Sequence, residues 1–264
     1  MASNFWQSSH YLRWMFTKEK VKDMRRNIQI RTNFPTEHEL VIQTYFIRHI
    51  QLIGRRLRYK QVVVATATAF FKRFYLLASV IEHDPRIVAP TMLYLAVKVE
   101  EMGQLRPESI LNENNARNES LRLKSSDIFA CEIIVLAKLN FDLVVFHPYQ
   151  DLERFVIDAT QDANGVFGAA WSILNDAQRS DCILVYPPSI IALAALYIAS
   201  VYANIDTKQW FDELNLNLDK VRECASDIIE ASKMDQDRTS KIGTALREMV
   251  PFWKTSRPPT STTA

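Results

Sequence analysis

An internal repeat of helical segments restricts the fold of this chain more than any other feature. The tetrapeptide Leu-Tyr-Leu-Ala at 93–96 returns as Leu-Tyr-Ile-Ala at 196–199, 103 residues later. The same offset carries the apolar positions of the preceding segment, Val63, Ala67, Phe70, Phe71 and Phe74, onto Val166, Ala170, Ile173, Leu174 and Ala177. Two successive segments that match at one offset indicate a duplicated helical unit. The sequence therefore predicts two related all-helical domains of about a hundred residues each.

The spacing of apolar residues favours α-helices throughout. The stretch QVVVATATAFF at 61–71 is rich in β-branched residues, which favour strands. Its apolar face nevertheless continues at intervals of three and four for about four turns, as in a helix. Asp84 and Pro85 are typical of a helix start and predict a helix to Met102, and the prolines at 187–188 predict another over 190–202.

Composition limits the classes of function. Of 264 residues, 48% are apolar and 23% charged, and the net charge is only +2, too balanced to indicate a nucleic-acid partner. Three widely spaced cysteines argue against a disulfide framework or a zinc site and fit a reducing compartment. The N-terminus lacks the pattern of a signal peptide, and the longest apolar run, 190–199, is about half a membrane span. We find no nucleotide-binding, metalloprotease or hydrolase motif and expect neither a cofactor nor catalysis.

Lys98 is a charged residue in an otherwise apolar helical segment, LYLAVKVEEM at 93–102. The equivalent position of the second repeat is Val201, so the architecture itself does not require a lysine. A lysine among apolar groups either extends to water or pairs with a carboxylate. Glu101 is near in sequence, whereas Glu132 is the acidic residue on an otherwise apolar face of a later helix. Spacing alone does not decide between an ordinary solvated surface and a pair that serves a partner.

The segments LAVKVEE at 95–101 and CEIIVLAKLNFDL at 131–143 together resemble the cyclin box. NFWQSSHYLRW, ATATAFFKRFY, HPYQDLERFV and YPPSIIALAALYIA resemble, within that family, the cyclins of the Mediator-associated kinase module. The resemblance implies tandem five-helix cyclin-box repeats with an extra N-terminal helix. It covers most of the chain to about residue 218 and is weakest over 103–127, which is shorter than the family pattern.

The resemblance also implies a function and its residues. The chain is expected to be a nuclear, non-catalytic activator of a Mediator-associated cyclin-dependent kinase, which also contacts other kinase-module subunits and neither nucleic acid nor a membrane. The expected domains are an extension with a helix (1–35), the kinase-binding first box (36–145), the second box (146–245) and a disordered tail (246–264). The expected kinase-binding residues are Lys98, Glu100, Glu101, Glu132, Leu136, Phe141 and Leu143, with Glu100 and Glu101 meeting kinase arginines.

Two further sets of residues are candidates with more than one interpretation. Four aromatic residues near the N-terminus, Phe5, Trp6, Tyr11 and Trp14, suit either packing on their own domain or an anchor for the kinase or its module. Asp176, Arg179 and Asp181 suit either an intramolecular network or a groove that receives another subunit, and we favour the network. The basic residues between Arg55 and Lys60 indicate a solvated turn more than a nucleic-acid patch.

Two other classes of protein compete with a kinase activator. A DNA-binding general transcription factor of the transcription factor IIB type shares tandem cyclin-like repeats. That class favours a basic face and often a zinc ribbon, and the near-neutral charge and absent cysteine pairs count against it. A structural helical adaptor would bind a partner without changing its activity.

Overall fold

A computed structural model describes residues 4–103, 106–116, 121–160, 163–214 and 216–255. These residues contain helices and no β-strand, as expected for an all-α protein. The helices are, after a 3-10 turn at Phe5–Gln7, α1 (Ser9–Trp14), α2 (Lys18–Thr32), α3 (Thr36–Arg56), α4 (Gln61–Tyr75), α5 (Pro85–Val99), α6 (Pro107–Asn115), α7 (Ser125–Lys138), α8 (Tyr149–Thr160), α9 (Ala163–Ala177), α10 (Cys182–Val185), α11 (Pro188–Tyr202), α12 (Lys208–Glu213) and α13 (Leu218–Thr255). No helix within the described ranges is long and apolar enough to cross a membrane.

The chain divides into two compact units, and each contains one repeat. The first-repeat unit consists of Lys18–Leu143 with Asp237–Ala264, and the second-repeat unit consists of Met1–Thr17 with Val144–Gln236. The N-terminal extension is therefore shared, because the 3-10 turn and α1 belong to one unit and α2 to the other. The sequence predicts one helix there, whereas the structure has two.

The first-repeat unit has its core around α4. The apolar positions of the repeat on this helix are all buried, and Phe70, Phe71 and Phe74 are fully enclosed. The polar residue Thr68 in this helix donates its hydroxyl to the carbonyl of Val64, which satisfies it within the apolar surroundings. The long periodic apolar face thus overrides the strand preference of the β-branched residues.

Close packing of α3 against α4 requires a glycine. A Cβ placed on Gly54 would lie 2.5 Å from Cγ2 of Val64, which is too near for any other residue without movement. Gly54 therefore lets the two helices approach closely where α3 ends.

α5 begins as the sequence predicts and ends earlier. Asp84 is its N-cap and accepts a hydrogen bond from the backbone of Arg86, with Pro85 in the first turn. The helix stops at Val99, not Met102, because Glu101 has a left-handed backbone (φ 49°). The amide of Met102 then donates to the carbonyl of Val97 at 3.1 Å, which closes a Schellman-type C-terminus.

The second-repeat unit reproduces this helix pair. α11 spans Pro188–Tyr202, the range expected when α5 is moved by 103 residues, and α9 corresponds in the same way to α4 within one residue. Val166, Ala170, Leu174 and Ala177 on α9 are fully buried, whereas Ile173 is half-buried. The duplicated core inferred from the sequence is therefore present in both units.

α13 is the longest helix and extends past the start of the expected tail. It continues to Thr255, so residues 246–255 are helical where the sequence predicts disorder, and residues 256–264 lie outside the described range. The Pro, Ser and Thr content that suggested a tail is concentrated after residue 255, and the segment before it is rich in good helix formers.

Candidate functional site

The last turn of α5 and the middle of α7 are joined by an ion pair. Nζ of Lys98 lies 2.5 Å from Oε1 of Glu132, with 44% of the lysine side chain exposed and 12% of the glutamate. The ammonium also lies 5.4 Å from the ring centroid of Tyr94, one turn earlier on α5. Lys98 is therefore neither a core residue nor a freely solvated one, because its charge is held at the surface between two helices.

α7 surrounds this pair with apolar side chains, of which Phe129 and Ile133 are exposed and Leu136 is half-buried. The three lie three to seven residues apart on the helix, so they share the face that carries Glu132. Phe129 contacts Tyr94 at 5.9 Å between ring centroids, and Ile133 is 71% exposed. An apolar helix face open to water is the kind of surface that binds another protein.

The turn after α7 adds an exposed aromatic residue to the same surface. Asn140 and Phe141 both have left-handed backbones (φ 51° and 56°), and the amide of Phe141 donates to the carbonyl of Leu136 at 3.0 Å. This geometry leaves 69% of Phe141 exposed, whereas Leu143 is half-buried. A left-handed, exposed phenylalanine has an unfavourable conformation and an unfavourable environment, which suggests that it serves binding rather than folding.

The buried side chain of Arg73 stabilises this turn through a hydrogen bond to its backbone. It is buried in α4 and donates from Nη1 to the carbonyl oxygen of Asp142 at 3.3 Å. Burial lowers the pKa of Arg73 to about 9, and the nearby Asp142 carboxylate acts in the opposite direction. The guanidinium thus fixes the backbone between Phe141 and Leu143 from inside the unit.

The two glutamates after Lys98 have different environments. Oε1 of Glu100 accepts a hydrogen bond of 2.6 Å from the hydroxyl of the buried residue Thr66 on α4. Glu101 is exposed on the left-handed residue that ends α5. Of the two carboxylates predicted to meet a partner's arginines, Glu100 also has an internal structural contact, whereas Glu101 projects into solvent.

The N-terminal aromatic residues pack within the second-repeat unit. Phe5 contacts Trp6, His10, Tyr11 and Phe146, with ring centroids 5.2–5.5 Å apart. His10 accepts a hydrogen bond of 3.0 Å from the amide of Phe146, and Ser8 caps α1.

The four predicted anchor residues therefore divide into two roles. Trp14 is buried, and Phe5 is at the centre of the ring contacts, so both have an internal packing function. Trp6 is 55% exposed, and Tyr11 contacts it at 4.9 Å while remaining partly open to solvent. Only these two of the four offer apolar area to another protein.

The candidate residues of the second repeat form an internal contact. Nη2 of Arg179 lies 2.8 Å from Oδ1 of Asp176, three residues earlier. Asp181 follows at the N-cap of α10, where its side chain makes no capping hydrogen bond. The geometry supports the intramolecular network for Asp176 and Arg179.

The sequence reasoning missed three apolar residues on α7. Phe129, Ile133 and Ile134 are all substantially exposed, and none of them is among the predicted kinase-binding residues. The available signal was that, apart from Glu132, CEIIVLA is apolar on every side of its helix, which a helix packed on one face does not need. Within the described parts of the chain, no cluster of acidic, histidine or cysteine side chains suits a metal ion.

Comparison with protein families matches both halves of the chain. The cyclin N-terminal domain matches residues 11–144, and the cyclin C-terminal domain matches residues 147–252. Cyclin-C of Rattus norvegicus is 36% identical over 261 residues, which cover 94% of this chain and 91% of that protein. Cyclin-C of Drosophila melanogaster is 36% identical and covers 91% of this chain and 93% of its own length. Cyclin-C1-2 of Arabidopsis thaliana is also 36% identical, over 87% and 90% respectively.

Solved structures share the fold of this chain. A chain of the yeast TFIIK (Kin28/Ccl1/Tfb3) complex has 27% identity and a TM-score of 0.67, covering 85% of this chain and 100% of that one. A chain of the Chaetomium thermophilum CAK complex bound to ATP-gamma-S has a TM-score of 0.75 at 20% identity, over 95% and 86%, and shares the fold. The resemblance to cyclins and the fold of tandem cyclin boxes are thereby confirmed. This chain belongs to the cyclin family, whose members are regulatory subunits of kinases and not catalysts themselves.

Proposed function

We propose that this chain is the activating subunit of a nuclear cyclin-dependent kinase in the Mediator kinase module and thereby controls transcription by RNA polymerase II. Three relatives that bear the name Cyclin-C support this assignment along nearly the whole chain. Structures of complexes described as TFIIK and as an RNA polymerase II C-terminal domain kinase support a transcriptional kinase as the partner.

One observation carries the proposal, namely the exposed surface around the ion pair of Lys98 and Glu132. An exposed charge pair alone contributes little to folding, usually less than about 1 kcal/mol. Here it is flanked by exposed apolar side chains, Phe129, Ile133 and Phe141, whose exposure is unfavourable in an isolated protein. We call these five residues the α5–α7 surface.

The α5–α7 surface suits an amphipathic helix of the kinase. Apolar side chains of that helix would cover Phe129, Ile133 and Phe141, and backbone groups at its end would meet the charged atoms of Lys98 and Glu132. A kinase reaches its active form when the glutamate of its movable helix pairs with the strand lysine that holds the phosphates. Binding energy gained on the α5–α7 surface shifts the kinase toward that form, without chemistry by the cyclin.

Glu101 extends this surface with a negative charge. Because its carboxylate is exposed, we expect Glu101 to meet arginines that a phosphorylated activation loop would otherwise engage. Glu100 belongs to the same predicted set, and its contact with Thr66 orients it at the end of α5. We assign Glu101 the larger effect because it has more exposed charge.

Trp6 and Tyr11 form a second predicted contact with the kinase or another subunit of its module. Both are aromatic residues with an exposed face on a segment fixed by Phe5 and His10. Aromatic side chains of this kind supply much of the binding energy at protein interfaces.

A paired capture from nuclear extract tests the proposal. The tagged wild type is compared with a variant in which Lys98→Glu and Glu132→Lys are combined, which reverses the pair while keeping opposite charges together. A matched control exchanges the ion pair of the second-repeat unit, Asp219→Arg with Arg222→Asp, whose atoms lie 3.1 Å apart on exposed side chains. Circular dichroism confirms folding, and the readouts are recovered proteins and kinase activity.

The wild type and the Asp219/Arg222 control are expected to recover an active Mediator kinase, and the Lys98/Glu132 variant is expected to recover much less. Equal recovery by all three would reject the α5–α7 surface and leave Trp6 and Tyr11 as the principal contact. A recovered kinase whose activity does not depend on the chain would indicate an adaptor. Recovery of no kinase by any of the three would reject the proposed function, and salt-dependent DNA binding would then be measured.

A further inference from the structure

The second-repeat unit places two cysteines in contact that are far apart in sequence. Cys182 begins α10, and Cys224 lies in the second turn of α13. Both are buried and in the thiol form, and their side chains share a hydrogen bond. The sequence spacing argued against any pairing of cysteines, and it is the packing of α10 on α13 that brings these two together.

A second contact fixes the same two helices. The hydroxyl of Tyr186 donates to Oδ2 of Asp227 at 2.6 Å. Tyr186 lies four residues after Cys182 and Asp227 three residues after Cys224, so the two contacts are about one helical turn apart. The thiols therefore belong to a defined packing arrangement between neighbouring elements.

The local environment favours the thiolate form of Cys182 over that of Cys131. Its hydrogen bond with Cys224 lowers the pKa of the Cys182 thiol, and the Ser180 hydroxyl acts in the same direction against the opposing effect of burial. By contrast, burial raises the pKa of Cys131 to about 11 in the first-repeat unit. Because the thiolate is the reactive form, Cys182 is favoured over Cys131 as the first site of oxidation.

We propose that Cys182 and Cys224 are a modification site at which a peroxide forms an intramolecular disulfide. The Cys182 thiolate attacks one oxygen of hydrogen peroxide, the O–O bond breaks, and Cys182 becomes a sulfenic acid as water leaves. The sulfur of Cys224 then attacks the Cys182 sulfur, its proton leaves with the hydroxyl as a second water, and the S–S bond forms. In total, two thiols are oxidised and one peroxide is reduced to two waters.

Because both thiols are buried, the reaction needs a local opening of α10. The helix has only four residues and few internal hydrogen bonds, so such an opening breaks mainly its contacts with neighbouring segments, including the bond from the amide of Phe16 to the carbonyl of Leu184. Small elements of this kind open locally at a lower cost than the whole domain. After such an opening the peroxide reaches Cys182, and reclosure returns it to Cys224.

The product would fasten α10 to α13 covalently. A disulfide stabilises a protein mainly by restricting its unfolded chain, and here it would enclose the residues from 182 to 224. The second-repeat unit is therefore expected to melt at a higher temperature once oxidised, by roughly 5 °C or more.

The experiment treats the folded, full-length protein with hydrogen peroxide, blocks remaining thiols after denaturation and measures intact mass and peptide connectivity without reductant. The expected result is a mass loss of two hydrogen atoms, a linked pair of peptides containing Cys182 and Cys224, and reversal by dithiothreitol. The matched variant Cys131→Ser is expected to behave like the wild type, whereas Cys182→Ser and Cys224→Ser form no internal disulfide. The peptide map of the wild type gives the answer even if a serine variant folds poorly.

Two results would overturn the proposal. The first is that both thiols remain available for blocking after Cys131 has been oxidised. The second is that Cys182 or Cys224 is found linked to another molecule instead of to its neighbour.

Discussion

The two repeats have the same core and different surfaces at one pair of equivalent positions. α5 and α11 correspond residue for residue, and Leu93 and Leu196 are both fully buried. On the outer face, however, Lys98 pairs with Glu132, whereas the equivalent residue Val201 is 60% exposed and apolar. Both repeats thus form the same helix pair, but at this position only the first has a charged residue. The lysine is therefore not needed for the fold, and we attribute it to binding of a partner.

The C-terminal turns of the same helices make this contrast sharper. Both end in a left-handed residue, Glu101 in the first repeat (φ 49°) and Asn204 in the second (φ 53°). The next amides, of Met102 and Ile205, close the same type of hydrogen bond. Asparagine tolerates this conformation better than glutamate does. A glutamate at position 101 is therefore unfavourable for the turn, and the proposed binding role gives a reason for its presence there.

The largest effect is expected from the equivalent core residues Phe71 and Leu174. Both are fully buried, so replacement by alanine leaves a cavity. Phe71→Ala should lower the free energy of unfolding by about 4 kcal/mol and Leu174→Ala by about 3 kcal/mol. Hydrogen exchange measured by mass spectrometry should show each loss mainly in the helices of the substituted repeat. Equal loss of protection in both repeats would contradict separate cores.

A pH effect should distinguish the first repeat from the second. Glu39 on α3 accepts a hydrogen bond of 2.8 Å from the amide of Val80, and burial raises its pKa from 4.5 to about 7. Because the folded state holds this proton more tightly, stability is full below about pH 4.5 and is lost as the pH rises toward 7, by about 3 kcal/mol. Urea denaturation at several pH values should show this slope, and Glu39→Gln should remove it. An unchanged slope in that variant would assign the effect to other groups.

An exchange of the equivalent surface residues tests the contrast directly. Lys98→Val makes the first repeat resemble the second, and Val201→Lys makes the reverse change. Lys98→Val should weaken kinase binding by roughly tenfold or more, since Glu132 loses its partner at the interface. Its effect on the stability of the isolated chain should stay below about 1 kcal/mol. Val201→Lys should change neither kinase binding nor the stability of the isolated chain. Titration with purified kinase measures the binding of both variants.

The smallest effect is expected at the left-handed turns. Glu101→Asn should stabilise the first-repeat unit by about 0.5 kcal/mol, and Asn204→Glu should destabilise the second by a similar amount. Precise thermal melts of both variants measure these differences. If Glu101→Asn also lowers kinase activity, the unfavourable turn and the function are linked, whereas unchanged activity would remove Glu101 from the proposed surface.

The sequence predicted what depends on local periodicity and missed what depends on distant packing. Apolar spacing predicted α4, the internal repeat and the prolines at 187–188 predicted α11, and the Asp84-Pro85 signal predicted the start of α5. The predicted end of α5 at Met102 was wrong because a left-handed glutamate has no strong sequence signature. The contact of Lys98 with Glu132 was one of two interpretations of spacing, and only the packing of α5 on α7 decides between them. No feature of the sequence predicted the contact between Cys182 and Cys224.

The position of α1 has a consequence for the order in which the chain is made. His10 contacts the backbone of Phe146, which lies 136 residues further along. Ribosomes add about 5–20 residues per second, so α1 leaves the ribosome roughly 7–30 s before its docking site exists. During that interval its aromatic side chains lack the packing partners that they contact in the folded protein, so we expect α1 to stay exposed until residue 146 has been made.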